Sequence, residues 1–248
     1  MIKIAIIGAS GYTGGELLRL LIPHPKVEVV QATSRQKLGE YLYQTHPNLR
    51  KQTTLKFTDP ADLVPTDVLF LALPHGQAQH NIEKYAGVAE HIVDLSADFR
   101  LRDADLYQQW YGEKHAAPDW LDKFTYGLPE LHRDALKRAK YVSGVGCNAT
   151  AVNLGLLPLV NAGLLETHRP IIAELKVGSS EGGASVNPGS HHPERSSTVR
   201  TYKPYGHRHT AEVIQESGLA DVTLTMTSVG LVRGALATVH GTVKDGVA

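Results

Sequence analysis

Met1-Ile2-Lys3-Ile4-Ala5-Ile6-Ile7-Gly8-Ala9-Ser10-Gly11-Tyr12-Thr13-Gly14-Gly15 opens the chain and decides its fold. Ile4 to Ile7 is a continuous apolar run of strand length, and glycines at 8, 11 and 14 follow it directly. Beyond them Leu17, Leu18, Leu20 and Leu21 set an apolar stripe at helical spacing, stopped by Pro23. Strand, glycine turn and helix in that order form a phosphate cradle. Glycine permits the tight turn, and bare backbone lets N–H groups reach a pyrophosphate at the helix N-terminus. The spacing is Gly-x-x-Gly-x-x-Gly, not the commoner Gly-x-Gly-x-x-Gly; a turn that merely packs the helix onto the sheet is the alternative.

The alternation continues outward. Val27 to Gln31, Val68 to Leu73, Ile92 to Leu95 and Tyr141 to Ser143 read as further strands, separated by amphipathic stretches. Their apolar runs are continuous, as in a parallel sheet covered on both faces. This predicts a Rossmann-like, doubly wound α/β domain over residues 1–147. After it the texture changes. Ala149 to Leu157 reads as a helix, with Pro158 as a kink or stop. Ile171 to Val177, Val222 to Thr227 and Ala235 to Val243 read as long strands, the last two joined by a short connection. Gly178 to Gly206 is rich in Gly, Ser, His and Pro and reads as a loop. A second, α+β domain over residues 148–248, built on an antiparallel or mixed sheet, is expected.

The end of the second strand speaks to the nucleotide. An NAD reader usually places Asp or Glu about 20 residues beyond the glycines, on the ribose 2′-hydroxyl. Ala32-Thr33-Ser34-Arg35 stands here instead. A hydroxyl and a guanidinium suit a 2′-phosphate, so NADP is the expected cofactor. Gly8, Ser10, Gly11, Tyr12, Thr13, Ser34 and Arg35 are its expected contacts; for Arg35 a solvated loop charge is the alternative. His75, in Leu73-Pro74-His75-Gly76, lies at the same carboxyl edge and reads either as a neighbour of nicotinamide or substrate or as a packing residue. Arg100, at the end of Asp94-Leu95-Ser96-Ala97-Asp98-Phe99-Arg100, suits a substrate phosphate or carboxylate, with Asp94 and Asp98 as turn residues.

Composition narrows the class. The 248 residues carry no formal net charge and are 42% hydrophobic, so nothing global points to nucleic acid, a membrane surface or disorder. Val68 to Leu73 is typical of the longest apolar runs and far short of a membrane span. The N-terminus enters a strand at once, which leaves no room for a signal peptide. A single cysteine excludes an internal disulfide. A soluble, cytoplasmic protein is expected.

That cysteine, in Val145-Gly146-Cys147-Asn148-Ala149-Thr150-Ala151, joins a strand to a helix. There the unpaired N–H groups and the helix dipole favour thiolate, hence a nucleophile; a small buried hydrophobe is the alternative. His191, His192, His207 and His209, four of the 13 histidines, cluster in Ser190 to Arg195 and Gly206 to Glu212. No metal is expected, because the cysteine stands alone and no His-x-x-x-His pair has a third ligand near it. Pairing Cys147 with His207 or His209 gives the thiol its base, and Glu212, one turn from His209, would orient that imidazole. A polar surface patch is the other reading of these histidines.

Gly8 to Gly15, Leu95-Ser96-Ala97-Asp98-Phe99-Arg100, Gly146-Cys147 and His207-Arg208-His209 together resemble the N-acetyl-γ-glutamyl-phosphate reductase family. The resemblance spans essentially the whole chain. It leans to the lysine-biosynthesis branch, which reduces acyl phosphates carried on a small acidic amino-group carrier protein. Gly146-Cys147-Asn148-Ala149-Thr150-Ala151 stands where the arginine branch usually shows Gly-Cys-Tyr-Pro-Thr. The Ser190 to Arg195 loop and the run from Tyr202 to Val213 are also similar to that branch.

The resemblance implies a semialdehyde-dehydrogenase-like second domain and an NADP-dependent oxidoreductase. In it Cys147 attacks the acyl phosphate, phosphate leaves, and hydride from NADPH reduces the thioester to the semialdehyde, in lysine or arginine synthesis or both. His209 is implied as the acid/base residue, and Arg100, Asn148, His207 and Glu212 as the substrate side. His191, His192, Arg195, Arg200 and Lys203 would form a basic rim for the carrier, in an assembly of like chains. Members of the family run on past this point, with a segment that completes the second sheet and returns an Asn to NADP, so a C-terminally shortened member is expected. The free acetylated substrate, an aspartate-semialdehyde dehydrogenase and a non-catalytic NADP-binding fragment are the competing readings.

Overall fold

The computed structural model describes residues 1–187 and 189–246; Val247 and Ala248, the end of the expected second domain, lie outside the described residues. The chain divides into two compact units, Met1–Ala104 with Lys114–Val145, and Asp105–Glu113 with Gly146 onward.

The first unit contains β1 (Ile2–Ile7), α1 (Tyr12–Leu21), β2 (Val27–Thr33), α2 (Leu42–Thr45), β3 (Thr66–Leu71), α3 (Ile82–Ala86) and β4 (Ala89–Asp94). After α4 (Ala104–Tyr111), which falls almost wholly in the second unit, come β5 (Phe124–Tyr126), α5 (Pro129–Leu136) and β6 (Tyr141–Ser143). The six strands form one parallel sheet in the order β2-β1-β3-β4-β6-β5. The opening apolar run explains it: Ile4 and Ile6 enter one hydrophobic cluster with Leu18 and Phe57, whereas Ala5 and Ile7 enter another with Leu71 and Ile92. Both faces of β1 are therefore buried, and a strand of that kind reads as continuous.

The second unit holds α6 (Cys147–Asn161), β7 (Ile171–Val177), α7 (His192–Arg195), β8 (Val199–Lys203), α8 (His209–Ser217), β9 (Val222–Val229) and β10 (Ala235–His240). Its mixed sheet runs β10-β7-β9-β8, with β7 and β9 parallel and both outer pairs antiparallel. Ala149, Val152 and Leu156 of α6 and Val213 of α8 share a core with Leu175, Leu224 and Met226 of the sheet.

The two last strands are joined by a short connection, as expected, but do not pair with each other, because β7 lies between them and pairs with both. Three expectations change here. The stretch expected as loop contains β8, whose five side chains are all exposed, so no alternation marks it. The three-residue edge strand β5 is an addition to the expected set of strands. Of the two readings of Pro158, kink or stop, the stop does not hold, because α6 continues to Asn161. The Leu154 carbonyl that loses its N–H donor there belongs to a residue 45% exposed, so water can replace the bond.

Candidate active site

In the first unit the strand order reverses direction between β1 and β3, the place where open α/β sheets bind ligands. Gly8 leaves β1 at φ +78°, and a Cβ there would strike the Ala72 carbonyl just past β3. Only glycine fits. Gly11 then caps α1 with extended backbone. Ser10 Oγ lies 2.9 Å from Ser34 Oγ, which ties the glycine turn to the end of β2. Ser34 is buried, while Tyr12, Thr13 and Arg35 are exposed around the same edge. A cradle that a single Cβ would fill, beside hydroxyls and an exposed guanidinium, fits a dinucleotide phosphate.

His75 and Asp98 also meet at this edge. His75 Nδ1 is 3.0 Å from Asp98 Oδ1, and the same carboxylate accepts the Gly76 N–H at 2.7 Å and the Gln79 N–H at 3.0 Å. Burial pushes the pKa of Asp98 up, but these hydrogen bonds outweigh it and leave it lowered. Arg100 is 8% exposed, with Nε donating to the Gly144 carbonyl at 2.9 Å and Nη2 to that of Leu95 at 3.5 Å. Part of its fork is thus spent on the strand ends. Asp94, also fully buried, is raised to about 7 by burial, against the bonds it accepts from the Ser96 hydroxyl and N–H.

In the second unit Gly146 is the N-cap of α6 and Cys147 its first residue, exposed to solvent. The buried-hydrophobe reading of the thiol does not hold. Glu212, fully buried on α8, accepts the Gly146 N–H through Oε2 at 2.8 Å. Its Oε1 lies 3.9 Å from Nε2 of His209, which is 6% exposed. A Cβ on Gly146 would meet His209 Cδ2 and Nε2 at 2.9 Å and the Glu212 carboxylate closer still. The imidazole and carboxylate therefore pack directly on the residue before the thiol. His209 and Glu212 do not belong to a polar surface patch.

His207 takes a different place from its neighbour. Its Nδ1 accepts the His209 N–H at 3.2 Å, and the two rings meet edge to face at 4.7 Å. Burial first, then Arg208 and Lys203, push its pKa down to about 4, so it stays neutral and keeps its lone pair for that bond. Asn148 is buried, with Nδ2 donating to Glu181 Oε2 at 3.3 Å. Of the expected basic rim, His191, His192, Arg200 and Lys203 are exposed. Arg195 is not: it is 5% exposed and its Nη2 donates to the Val177 carbonyl at 2.6 Å, because the ends of β7 and β9 present carbonyls that need a donor. Sequence reasoning also missed Glu181 and Tyr202, whose hydroxyl donates to Glu181 Oε1 at 2.6 Å. Glu181 lies in a glycine-rich turn and carries no motif; Tyr202 opens the run similar to the reductase branch, but on the exposed strand β8 nothing local gave it a role. Among the described residues no group of three His, Cys, Asp or Glu side chains is placed to hold a metal ion, and no helix is long and apolar enough to cross a membrane.

Comparison with known proteins places this geometry. Residues 3–139 match the model of the semialdehyde dehydrogenase NAD-binding domain, and residues 147–248 that of the semialdehyde dehydrogenase dimerisation domain. A protein of Thermomicrobium roseum named as a putative LysW-L-2-aminoadipate 6-phosphate reductase is 52% identical over 244 residues, covering 97% of this chain and 69% of the relative. The LysW-L-2-aminoadipate/LysW-L-glutamate phosphate reductase of Sulfurisphaera tokodaii is 49% identical over 254 residues, covering 97% of this chain and 71% of that protein. Among solved structures, aspartate semialdehyde dehydrogenase II of Vibrio cholerae superposes with a TM-score of 0.73 at 13% identity, over 100% of this chain and 76% of that one. The Candida albicans aspartate semialdehyde dehydrogenase, solved with NADP, gives 0.66 at 14%, over 100% and 72%. At such identities these two show a shared fold. With both of its units matched by family models and half of its residues shared with named reductases, the chain belongs to the semialdehyde dehydrogenase family.

Proposed function

We propose that this chain is an NADPH-dependent acyl-phosphate reductase that converts a carrier-linked 2-aminoadipyl 6-phosphate, glutamyl 5-phosphate or both to the semialdehyde. The observation that carries the reading is the exposed Cys147 at the first position of α6, with His209 and Glu212 packed on Gly146 beside it. The names of the relatives supply the substrate class.

The chemistry follows from those residues. The Cys147 thiol gives its proton to His209, whose imidazolium faces the Glu212 carboxylate, and sulfur attacks the acyl carbon. A C–S bond forms, the C–O bond to phosphorus breaks, and phosphate leaves with that electron pair. The product is a thioester on Cys147. Gly8, Ser10, Gly11, Tyr12, Thr13, Ser34 and Arg35 are the residues that would hold NADPH, with Arg35 on its 2′-phosphate; when bound, that cofactor supplies hydride to the acyl carbon. His209 lends its proton to the carbonyl oxygen and takes it back as the C–S bond breaks, its electron pair returning to sulfur and the carbonyl re-forming as the semialdehyde. Arg100 serves as an anion contact for the acyl phosphate.

The exposed His191, His192, Arg200 and Lys203 make a cationic face for an acidic carrier; Arg195 is not part of it. A cytoplasmic setting keeps the single thiol reduced, and like chains assemble through the second unit. The deciding assay compares turnover of carrier-linked aminoadipyl phosphate, carrier-linked glutamyl phosphate, free N-acetylglutamyl phosphate and aspartyl phosphate. Carrier-linked substrates should have kcat/KM at least about 100-fold above the free ones, as loss of a docked partner's binding energy requires. Equal or better use of a free substrate would reject the carrier-linked reading.

A further inference from the structure

Three separated pieces of the second unit meet at one carboxylate. Glu181 lies in the turn Ser179–Gly182 that follows β7. Its Oε1 accepts the hydroxyl of Tyr202 on β8 at 2.6 Å, and its Oε2 accepts Nδ2 of Asn148 in the first turn of α6 at 3.3 Å. A carboxylate only accepts hydrogen bonds, so it dictates which end of the Asn148 amide faces it. Asn148 is 1% exposed, and its Oδ1 has no hydrogen-bond partner among the described residues. The residue next to the thiol is therefore oriented by Glu181, and the turn and β8 are drawn onto the same helix end.

The same cluster carries charge. Although the Tyr202 side chain is 42% exposed, shielding of its hydroxyl comes first among the causes that push its pKa up, followed by its bond to Glu181, that carboxylate's charge and the charge on Cys147. Carboxylate and thiol thus both act on the same phenol, and the carboxylate bonds the residue next to the thiol. Other ionisable groups near this end of the unit include His209 and Glu212 of α8 on the Gly146 side, His207 packed on His209 with Arg208 and Lys203 acting on it, and the buried Arg195, whose charge reaches Tyr202.

We infer that Glu181 is a positioning residue for Cys147: it locks Asn148 and Tyr202 at the start of α6, and its negative charge restrains ionisation of the thiol in the free enzyme. A like charge beside a thiolate disfavours that form, so removing it makes the sulfur more acidic. The inference rests on Cys147 as the nucleophile, but its readout does not, because alkylation reports the thiol whether or not substrate turns over.

The test is the pH dependence of iodoacetamide alkylation of the full chain, with thermal melting to verify folding. Glu181→Gln keeps the shape and an acceptor for Tyr202 while removing the charge. Its alkylation midpoint should fall by about half a pH unit, with a rate at pH 7 about threefold above that of the unaltered protein. Tyr202→Phe keeps the charge and removes its neutral partner, so its midpoint should stay or rise. An unchanged midpoint in Glu181→Gln would overturn the inference. An equal fall in Tyr202→Phe would also overturn it, because loop packing and not charge would then set the thiol. Retained turnover in Cys147→Ser would sink the reductase mechanism while leaving the alkylation result standing.

Discussion

Glu212 holds the backbone that enters the Cys147 helix: its Oε2 accepts the Gly146 N–H at 2.8 Å from a side chain with no solvent exposure. Its other oxygen faces His209 Nε2 at 3.9 Å. One buried acid thus serves both the helix start and the imidazole proposed as acid/base. Glu212→Ala leaves the Gly146 N–H without its acceptor and should cost roughly 1–3 kcal/mol of stability by thermal melting, together with about 100-fold or more in kcat. Glu212→Gln retains an acceptor for Gly146 but not the charge. Its activity profile should shift its acidic limb to lower pH, because imidazolium loses its counter-charge.

Gly146→Ala tests the same packing by shape alone. The added Cβ would come within 2.9 Å of His209 Cδ2 and Nε2. A displacement of about 1 Å at a reacting group can cost about 100-fold, so kcat should fall by at least that much. Dinucleotide affinity, measured by fluorescence titration, should stay within about twofold, since the glycine turn lies in the other unit.

The dinucleotide edge has its own pair of tests. Arg35→Ala should weaken NADPH binding about 10- to 100-fold, the worth of a charge-assisted bond, and leave NADH binding nearly unchanged. Gly8→Ala forces a side chain at φ +78° into the Ala72 carbonyl. It should lower stability by at least about 1 kcal/mol and abolish NADPH binding.

Asp94 gives a pH signature of stability. Its carboxyl is raised from 3.8 to about 7 by burial, so between those values the folded chain keeps a proton that the unfolded chain releases. Stability from this group is greatest below about pH 4, falls as pH rises, and levels off above about 7. Asp94→Asn should remove that slope, worth on the order of a few kcal/mol, in melting curves taken from pH 4 to 8.

How much of this was legible depended on whether a residue advertised itself locally. The strand of Ile4 to Ile7 and the glycine turn could be read because burial on both faces leaves an unbroken apolar run. The position of Cys147 at the start of a helix could be read from the glycine-flanked turn between strand and apolar helical run, whereas the burial of His209 beside Gly146 could not. β8 could not, since all five of its side chains are exposed and its partner β9 is more than 20 residues away in sequence. Arg195 looked like its exposed neighbours, and only the carbonyls at the ends of β7 and β9 explain why it turns inward. Glu181 and Tyr202 are ordinary residues whose meaning is their mutual distance.

The most direct measurement omits the reductant. The full chain is mixed with a carrier-linked acyl phosphate in the absence of NADPH, and released phosphate and intact mass are followed together. One equivalent of phosphate per chain, with the acyl carrier attached to the peptide containing Cys147 and neither signal in Cys147→Ser, is the expected result. Stoichiometric phosphate release with no adduct on that peptide, or semialdehyde formation by the Cys147→Ser protein once NADPH is added, would contradict a thioester on Cys147.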